Sequence, residues 1–440
     1  MQTISVGLIG FGTVGTGVAK ILEKNAGLLY ERTGAHIELK KIADLDIKRS
    51  RGITLKKGVL TTSADEIVNN PAIDIVVELM GGIEPARRLI LKALENGKHV
   101  VTANKALLSA HGWEICAAAR ATGVDVAFEA SVGGGIPIVR TMQEGFASDR
   151  ISGFLGILNG TSNYILSRMT NEGADFKAVL KDAQAQGYAE ADPTFDVEGI
   201  DTAHKLNVLL SLAFGGKADP KKIYTEGISG ITPLDIEFAR QLGYKIKLLA
   251  ICSGCGSQVD ARVHPSLIPE KHMLAQVGGA FNAIFVQGQD VGPTMFYGRG
   301  AGMMPTGSAV VADIVSLARN MVKGVSDRVA LLPYGSRTPK AIRIKPMSDV
   351  QTRYYLRFTA VDKPGVLSSI SGALGRNHIS LHSVVQKGRN TSNTAVSIFM
   401  LTHEAKESDL QKAIRQLEKL SMLKGKTMVI RIVEDMPSAG

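Results

Sequence analysis

The segment that most constrains the fold of this 440-residue chain lies at its start. A short apolar run, Ser5 to Ile9, leads into a Gly-x-Gly-x-x-Gly pattern, and a helical pattern follows from about 13 to 29. A glycine-rich turn between a buried strand and a helix is typical of dinucleotide-binding βαβ units, because it lets the backbone and the helix start approach a pyrophosphate. We therefore predict that a dinucleotide binds at the turn formed by Gly10, Phe11, Gly12, Thr13, Val14 and Gly15.

Strand and helix patterns alternate through the first third of the chain. Further strands are predicted at 36–43, 73–77, 99–101 and 124–128, with helices near 85–96 and 106–121. This alternation indicates an α/β fold with a doubly wound parallel sheet of the Rossmann type.

The rest of the chain indicates a second α+β domain and a third, smaller one. The last segment reads strand, helix, strand, strand, helix, strand, an order that is ferredoxin-like. The predicted boundaries are 1–137 (plus about 300–325) for the dinucleotide-binding domain, 138–300 for a substrate, catalytic and dimerisation domain, 326–350 for a linker, and 351–440 for a regulatory domain. The helix predicted at about 308–322 is expected to pack back onto the first domain.

Charge and composition narrow the class of protein. Residues 340–440 hold 16 Lys and Arg against 8 Asp and Glu, which is +8 of the net +10. These charges are scattered singly, which favours a solvated surface over nucleic-acid binding. Three cysteines are too few for a disulfide framework, and no signal-peptide or membrane-span pattern is present, so we expect a cytoplasmic protein without nucleic-acid or membrane partners.

The residues after the second strand leave the coenzyme open. Asp44 ends that strand and is suited to accept hydrogen bonds from an adenosine ribose, which favours NAD. Lys48, Arg49 and Arg51 follow directly and would neutralise a 2′-phosphate, which favours NADP. Either coenzyme is compatible with the sequence.

Two other features follow strands. Lys105 comes after the strand at 99–101, at the sheet edge that should also carry Gly10, so we predict that it faces bound cofactor or substrate. Cys252 and Cys255 form a Cys-x-x-Cys pattern without a second pair or nearby histidines. A turn between two strands is the favoured interpretation there, and a redox role stays open.

An acidic stretch leads into a helix predicted at 200–213. Asp201 and Lys205 lie four residues apart, on one face of this helix, and Glu190, Asp192 and Asp196 precede them. Several carboxylates beside one lysine at a partly buried helix start suit a substrate that carries an ammonium group, and a buried lysine suits acid–base chemistry.

The stretch 187–205 resembles the signature of the homoserine dehydrogenase family. The resemblance covers nearly the whole chain, including the segment 129–137 and the triplets at 159–161 and 300–302. It implies reversible NAD(P)H-dependent reduction of L-aspartate 4-semialdehyde to L-homoserine, in threonine, methionine and isoleucine biosynthesis. His204 departs from the arginine common in the family, which puts any role for His204 in doubt.

The resemblance also implies roles for single residues. Lys205 would donate and accept the proton at the reacting oxygen, with Lys105 assisting near the nicotinamide. Glu190 would hold the substrate ammonium, and Asp196 and Asp201 would shape the polar site and orient Lys205.

Further sites are implied by the same resemblance. Gly302 would lie near the nicotinamide. A monovalent cation such as Na⁺ would be bound by the Glu129 carboxylate and the carbonyls of Val132, Gly134 and Ile136.

The C-terminal segment resembles an ACT domain, a module that binds amino acids. Its ligand loop would contain Asp362, Gly365 and Val366, with Asn377 and Ile379 on the other wall. We expect L-threonine as a feedback effector and a homodimer or homotetramer, since such modules usually pair through their sheets. A purely dimerising appendage is the alternative.

Two rival functions are compatible with the fingerprint alone. One is another amino-acid or semialdehyde dehydrogenase of the same fold. The other is a dinucleotide-sensing regulatory protein, against which the stretch 187–205 argues.

Overall fold

The computed structural model describes residues 2–255, 258–331, 340–387, 395–434 and 436, except the side chains of Cys255 and Lys387. The chain forms two compact units. Unit 1 comprises Met1–Ser152, His204–Pro220 and Phe281–Ile342, and unit 2 comprises Gly153–Ala203, Lys221–Ala280 and Arg343–Gly440.

The described strands are β1 (Thr3–Ile9), β2 (His36–Ala43), β3 (Leu60–Thr61), β4 (Ile75–Glu78), β5 (His99–Thr102), β6 (Val126–Ala127), β7 (Ile151–Ile157), β8 (Gly216–Lys217), β9 (Tyr224–Thr225), β10 (Tyr244–Cys255), β11 (Gln258–Pro269), β12 (Phe281–Gly288), β13 (Pro293–Arg299), β14 (Lys340–Ala341), β15 (Arg343–Ile344), β16 (Gln351–Val361), β17 (Leu381–Lys387), β18 (Ala395–Thr402), β19 (Ala405–Lys406) and β20 (Met428–Ile432). The described α-helices are α1 (Thr13–Lys24), α2 (Ala26–Thr33), α3 (Asp65–Val68), α4 (Ala86–Glu95), α5 (Lys105–Thr122), α6 (Ile138–Arg140), α7 (Gly160–Glu172), α8 (Phe176–Ala185), α9 (Thr194–Val197), α10 (Ile200–Phe214), α11 (Pro233–Gln241), α12 (Met303–Val322), α13 (Val366–Arg376) and α14 (Glu407–Leu417). Across the described ranges, no helix is both long and apolar enough to cross a membrane.

Unit 1 is built on the predicted parallel sheet. Its strand order is β3-β2-β1-β4-β5-β6, and β1 pairs in parallel with both β2 and β4. This order reverses direction at β1, which is the doubly wound arrangement that places ligands at the carboxyl ends of the strands. The parallel α/β fold predicted for this part of the chain is confirmed.

Helix α12 belongs to the same core as α1, although α1 ends at Lys24 and α12 begins only at Met303. Val18 of α1 and Ile314 of α12 are fully buried in one cluster with Leu8 of β1. A Cβ on Gly17 would lie 2.2 Å from the carbonyl oxygen of Met303, so only glycine allows this close helix contact. Helix α12 therefore packs in one core with α1 and β1.

Unit 2 contains a sheet in the order β7-β10-β11-β20-β16-β18-β17. Strands β16 to β20, with α13 and α14, form the predicted ferredoxin-like module, whose core includes Leu356, Ile370 and Leu410. The module's last strand, β20, pairs in parallel with β11, and Ser266 lies opposite Arg431. The module's sheet therefore continues the sheet that contains β10 and β11.

Some local predictions were wrong. The single helix expected over 13–29 is two helices, because Asn25 leaves the helical region with φ −105° and ψ 17°. No helix was predicted at 160–172, where α7 lies, because its first residues, Gly160, Thr161 and Ser162, are typical of turns.

The predicted linker is only partly described. Residues 332–339 lie outside the described residues, and β15, within the predicted range 326–350, pairs with β11. The Cys-x-x-Cys segment ends β10, where Cys255 is paired with Gln258 of β11 in an antiparallel ladder. Cys252 is buried, and burial raises the pKa of its thiol above the usual range. The side chain of Cys255 lies outside the described residues.

Candidate active site

The glycine loop between β1 and α1 has room for a ligand at one glycine only. Gly10 has φ +99°, and a Cβ on it would lie 2.6 Å from the carbonyl oxygen of Leu79. A Cβ on Gly15 would lie 2.2 Å from the Gly10 carbonyl oxygen, so both positions require glycine for packing. A Cβ on Gly12 would have no described atom within 4 Å. The open space beside the loop therefore lies at Gly12.

The start of α1 is suited to an anion. Gly12 is its N-cap, no side chain accepts a hydrogen bond from the first turn, and no acidic residue lies there. The N–H groups at a helix start carry partial positive charge and bind phosphate oxygens. Thr13 and Val14, predicted to bind cofactor, are the first two residues of this helix.

Asp44 holds the glycine loop in place. Its Oδ2 accepts the Phe11 N–H at 2.6 Å, and its Oδ1 accepts from the Asp46 N–H at 2.8 Å and from Arg51 Nη2 at 3.2 Å. The Arg51 guanidinium also lies over the Phe11 ring, 4.7 Å from its centroid. The end of β2 therefore presents a cation next to the carboxylate.

A buried carboxylate organises the neighbouring strand ends. Glu78, at the end of β4, accepts the Thr102 hydroxyl at 2.7 Å and the Met80 N–H at 2.7 Å. Burial raises the pKa of Glu78 despite these hydrogen bonds. Asn104 donates to the Gly82 carbonyl at 2.6 Å and caps α5, whose first residue is Lys105. The position of Lys105 is thus fixed by contacts between two loops at the carboxyl edge of the sheet.

Glu129 stands in a buried polar cluster. Its carboxylate oxygens accept the N–H groups of Val139 at 2.8 Å and Arg140 at 2.9 Å. Asp313 of α12 accepts the Glu129 N–H at 2.8 Å and binds Arg140 Nη2 at 2.9 Å. Burial, and next the Glu129 charge, raise the pKa of Asp313 to about 7. The Glu129 carboxylate thus holds the start of α6, which leaves fewer of its lone pairs for a cation.

The segment predicted to bind the cation is a tight turn. Gly133 and Gly134 have φ +73° and +55°, and a Cβ on Gly134 would lie 2.4 Å from the Gly300 carbonyl oxygen. The Ile136 carbonyl accepts the Ile138 N–H at 2.8 Å. Within the described part of the chain, no group of three or more His, Cys, Asp or Glu side chains is arranged to hold a metal ion.

Gly302, assigned to the nicotinamide side, is the N-cap of α12 with φ +130°. Its place at the start of α12 belongs to unit 1, as do the glycine loop and Lys105.

Unit 2 brings two of the predicted substrate residues together. Asn159 Nδ2 donates to Asp196 Oδ1 at 2.7 Å and to Asp201 Oδ2 at 2.9 Å. Asp201 is only 4% exposed, whereas Glu190 is exposed. Asp201 opens α10, and Lys205 follows one turn later, half-buried, on the part of this helix that belongs to unit 1.

The predicted effector residues divide into an open loop and a buried wall. Gly365 has φ +90° and is the N-cap of α13, and Asp362 accepts from Gln386 Nε2 at 3.3 Å. Asn377 and Ile379 are buried, and the Asn377 amide donates to the Ala373 carbonyl and to Gln416. Both N–H groups of the Asn377 amide are therefore already used within the module.

Comparison with known proteins covers the same three parts of the chain. A family model described as the homoserine dehydrogenase NAD-binding domain matches residues 10–129, one described as homoserine dehydrogenase matches 137–315, and one described as the ACT domain matches 354–421. A homoserine dehydrogenase of Pseudomonas aeruginosa is 45% identical over 98% of this chain and 99% of its own length.

The chain belongs to the homoserine dehydrogenase family.

Two further relatives support the assignment. A homoserine dehydrogenase of Bacillus subtilis is 40% identical over 96% of each chain. The crystal structure of one from Thiobacillus denitrificans superposes with a TM-score of 0.89, at 46% identity and 99% coverage of both chains. This chain is thus an oxidoreductase acting on CH–OH, with NAD(P)-binding, catalytic and ACT domains, and these predictions are confirmed.

Sequence reasoning assigned no role to three buried polar residues of this homoserine dehydrogenase. Glu78 ends an apolar strand, Asp313 is the one carboxylate of α12, and Asn159 lies two residues after the end of β7. A lone polar residue at a strand end or in an apolar helix is the signal that was available, because such a group must find a buried partner.

Proposed function

We propose that this chain catalyses the reversible NAD(P)H-dependent reduction of L-aspartate 4-semialdehyde to L-homoserine, the reaction that its family membership implies. The observation that carries the proposal is the start of α10, where buried Asp201 and half-buried Lys205 follow one another by one helical turn. Residues four apart share a helix face, so this face offers an anion and a cation to an amino-acid substrate. The product would feed threonine, methionine and isoleucine synthesis.

The glycine loop fits a dinucleotide. The start of α1 lacks a side-chain cap, and Gly12 borders open space, so the pyrophosphate has both its donors and its room. When bound, the nicotinamide supplies or accepts the hydride.

The side chains assigned to the substrate site have separate roles in substrate binding and proton transfer. Glu190 holds the substrate ammonium, and Asp196 and Asp201 shape the polar site and orient Lys205. Lys205 stabilises the oxyanion that develops on the aldehyde oxygen and protonates it, and in the reverse direction it removes the hydroxyl proton. Lys105, at the start of α5, assists this proton transfer.

Replacing Lys205 tests the assignment. Lys205→Met should lower kcat by about a thousandfold, since general acid–base and electrostatic contributions are both lost. Coenzyme binding, followed by fluorescence titration, should stay within about threefold of the parent. The matched control is Lys181→Met on the exposed face of α8, which should leave turnover unchanged. Turnover of Lys205→Met near the parent value would refute the role.

For the coenzyme we propose a preference for NADP. Both oxygens of Asp44 already accept hydrogen bonds, from Phe11, Asp46 and Arg51, and the Arg51 guanidinium stacks on Phe11 at the loop. An engaged carboxylate is a poorer partner for a ribose hydroxyl, while arginine suits a phosphate. Arg51→Ala should raise KM for NADP⁺ at least about tenfold and leave KM for NAD⁺ nearly unchanged. An equal effect on both coenzymes would contradict the preference.

We also propose that Na⁺ binds at the tight turn after Glu129 through main-chain oxygens, those of Val132 and Gly134 first. Hard oxygen ligands suit this ion. Glu129 would support the site by fixing α6 rather than by direct ligation. Activity measured in sodium, potassium and tetramethylammonium salts at equal ionic strength should be highest with Na⁺, and equal rates would contradict the site.

Regulation by L-threonine is the corresponding proposal for the ACT module. The Gly365–Val366 helix start offers N–H groups to an amino-acid carboxylate. Ion pairs join the module to other parts of unit 2. Arg431 of β20 binds Glu407 and Glu226, and Arg357 of β16 binds Asp235 at the start of α11, with Nε 2.7 Å from Oδ1.

Threonine titration tests this proposal. Millimolar L-threonine should inhibit homoserine oxidation, and Gly365→Asp, which places a carboxylate at the loop, should weaken the inhibition without changing the uninhibited rate. D-Threonine is the matched control ligand. Unchanged activity across the titration would leave the module as an oligomerisation element only.

We propose a homodimer or homotetramer formed in part through β17. This strand is the last in the described sheet order, and its Val384 and Val385 are each 38% exposed. An exposed strand edge with apolar side chains favours pairing with a second sheet. Val385→Lys should shift the molecular mass measured by light scattering towards the monomer, and an unchanged mass would exclude this edge.

A further inference from the structure

We propose that Asn159 is a positioning residue for this reaction, because its amide holds the carboxylates of Asp196 and Asp201 together. The inference rests on the proposed function, since both aspartates are assigned there to the substrate site.

The Asn159 amide is fully committed and its orientation is determined. Its Nδ2 donates one hydrogen bond to Asp196 at 2.7 Å and one to Asp201 at 2.9 Å, which uses both N–H groups. Its Oδ1 accepts the Ser162 N–H at 2.8 Å. Ionised carboxylates only accept and the backbone N–H only donates, so the flipped amide would face three mismatched partners.

A neutral donor between two carboxylates has a specific consequence. Asn159 is 5% exposed and Asp201 4% exposed, so repulsion between the two negative charges is poorly screened. Without a donor between them, one carboxyl would tend to bind a proton. The amide stabilises both ionised groups without adding a positive charge. The two carboxylates are therefore held together in their ionised form.

The surrounding contacts fix this arrangement to the scaffold. Asn159 follows β7 and is the N-cap of α7. The Ser162 hydroxyl donates to the Asp196 carbonyl at 2.9 Å, and the Thr161 hydroxyl donates to the Tyr188 carbonyl at 2.8 Å. The start of α7 thus holds the acidic stretch at two main-chain points as well as at the carboxylates. This helix start positions the stretch that carries the substrate residues.

Two substitutions separate positioning from helix capping. Asn159→Ser keeps an N-cap acceptor but loses both amide donors, and it should lower kcat/KM for homoserine on the order of 10- to 100-fold while KM for the coenzyme stays unchanged. Asn159→Asp keeps the shape and the cap but places a third carboxyl against Asp196 and Asp201. Like charges raise the pKa of carboxyls, so the acid limb of its kcat/KM profile should move up by about one pH unit.

The control residue is Asp175, which is also a side-chain N-cap in unit 2. Asp175 Oδ1 accepts the Lys177 N–H at 2.9 Å and caps α8, and Asp175→Ala should leave both the rate and the pH profile unchanged. A kcat/KM of Asn159→Ser within twofold of the parent, or an unmoved acid limb in Asn159→Asp, would overturn the inference. A parent enzyme that shows no homoserine-dependent turnover would instead overturn the proposed function, so the two failures are distinguishable.

Discussion

The starts of α1 and α7 both follow buried strands, but they differ in what can interact with them. The start of α1 has no side-chain cap, whereas the start of α7 is capped by a side chain that also binds two carboxylates. At α1 the N-cap is Gly12, no side chain caps the first turn, and open space adjoins the N–H groups. At α7 the N-cap is Asn159, whose side chain fills the cap and directs both amide donors at carboxylates of the protein. One helix start is open to an external anion, whereas the other holds internal anions.

The difference shows how similar local structures produce different chemistry. Partial positive charge at a helix start is common to both. What differs is whether a side chain occupies the position in front of the N–H groups. Glycine leaves that position open, whereas asparagine fills it and holds two aspartates. The residue at the N-cap therefore decides whether the helix start is open to an external anion.

The largest expected effect is a loss of coenzyme affinity when the open helix start of α1 is blocked. Gly12→Val adds a side chain into space that lacks described atoms within 4 Å, so the fold should tolerate it. The side chain would occupy the place of the pyrophosphate, and coenzyme affinity should fall about a thousandfold, or about 4 kcal/mol. Isothermal titration with the coenzyme measures this loss.

Gly15→Ala is the contrasting variant for that experiment. Its Cβ would meet the Gly10 carbonyl oxygen at 2.2 Å, so it should lower the free energy of unfolding as well as coenzyme affinity. Coenzyme affinity of Gly12→Val within tenfold of the parent would mean that the open space does not receive the pyrophosphate.

A third helix start, that of α11, extends the comparison to the contacts of the ACT module. Thr232 and Asp235 form a capping box there, and Asp235, fully buried, also accepts from Arg357 and from the Tyr355 hydroxyl. Asp235→Ala removes the Asp235 half of the capping box and leaves half-buried Arg357 without its carboxylate partner, so the free energy of unfolding should fall by about 3 kcal/mol. Urea denaturation measures it, and a loss below about 1 kcal/mol would show that the pair contributes little.

A buried lysine next to α7 should make a smaller contribution to the free energy of unfolding, and this contribution depends on pH. Lys247 Nζ donates to Asn163 Oδ1 at 3.1 Å, and burial lowers its pKa from 10.5 to about 8. Between these values the unfolded chain binds more protons than the folded chain, so the free energy of unfolding rises with pH. From pH 8 to 10 this contribution is about 2 kcal/mol.

Lys247→Met removes that contribution. The difference in unfolding free energy between parent and variant should therefore change by about 2 kcal/mol over the same pH range, in favour of the parent at the higher pH. A difference that stays constant with pH would show that this lysine is charged in the folded chain.

Local signals explain what was predictable from the sequence. The glycine loop and β2 were found because strand, turn and helix are adjacent in the chain, and the parallel sheet followed from their alternation. The contacts of Glu78 with Thr102 and of Asn159 with Asp201 join residues 24 and 42 positions apart. Such pairs depend on which loops the fold brings together, and no local pattern contains that information.

The same reason applies to the pairing of β20 with β11. The final strand of the ferredoxin-like order was predicted, but its pairing with β11, outside the predicted 351–440 domain, was not, because the hydrogen bonds of a strand edge are formed by the backbone and leave little trace in the side chains.

The central claim is that this chain oxidises L-homoserine with a nicotinamide coenzyme through Lys205. The direct measurement is the initial rate of NADP⁺ and NAD⁺ reduction by the purified full-length chain with L-homoserine, alongside Lys205→Met with its coenzyme binding verified. The account predicts homoserine-dependent turnover in the parent and its loss in the variant. No homoserine-dependent reduction of either coenzyme by a parent protein that binds coenzyme would contradict it.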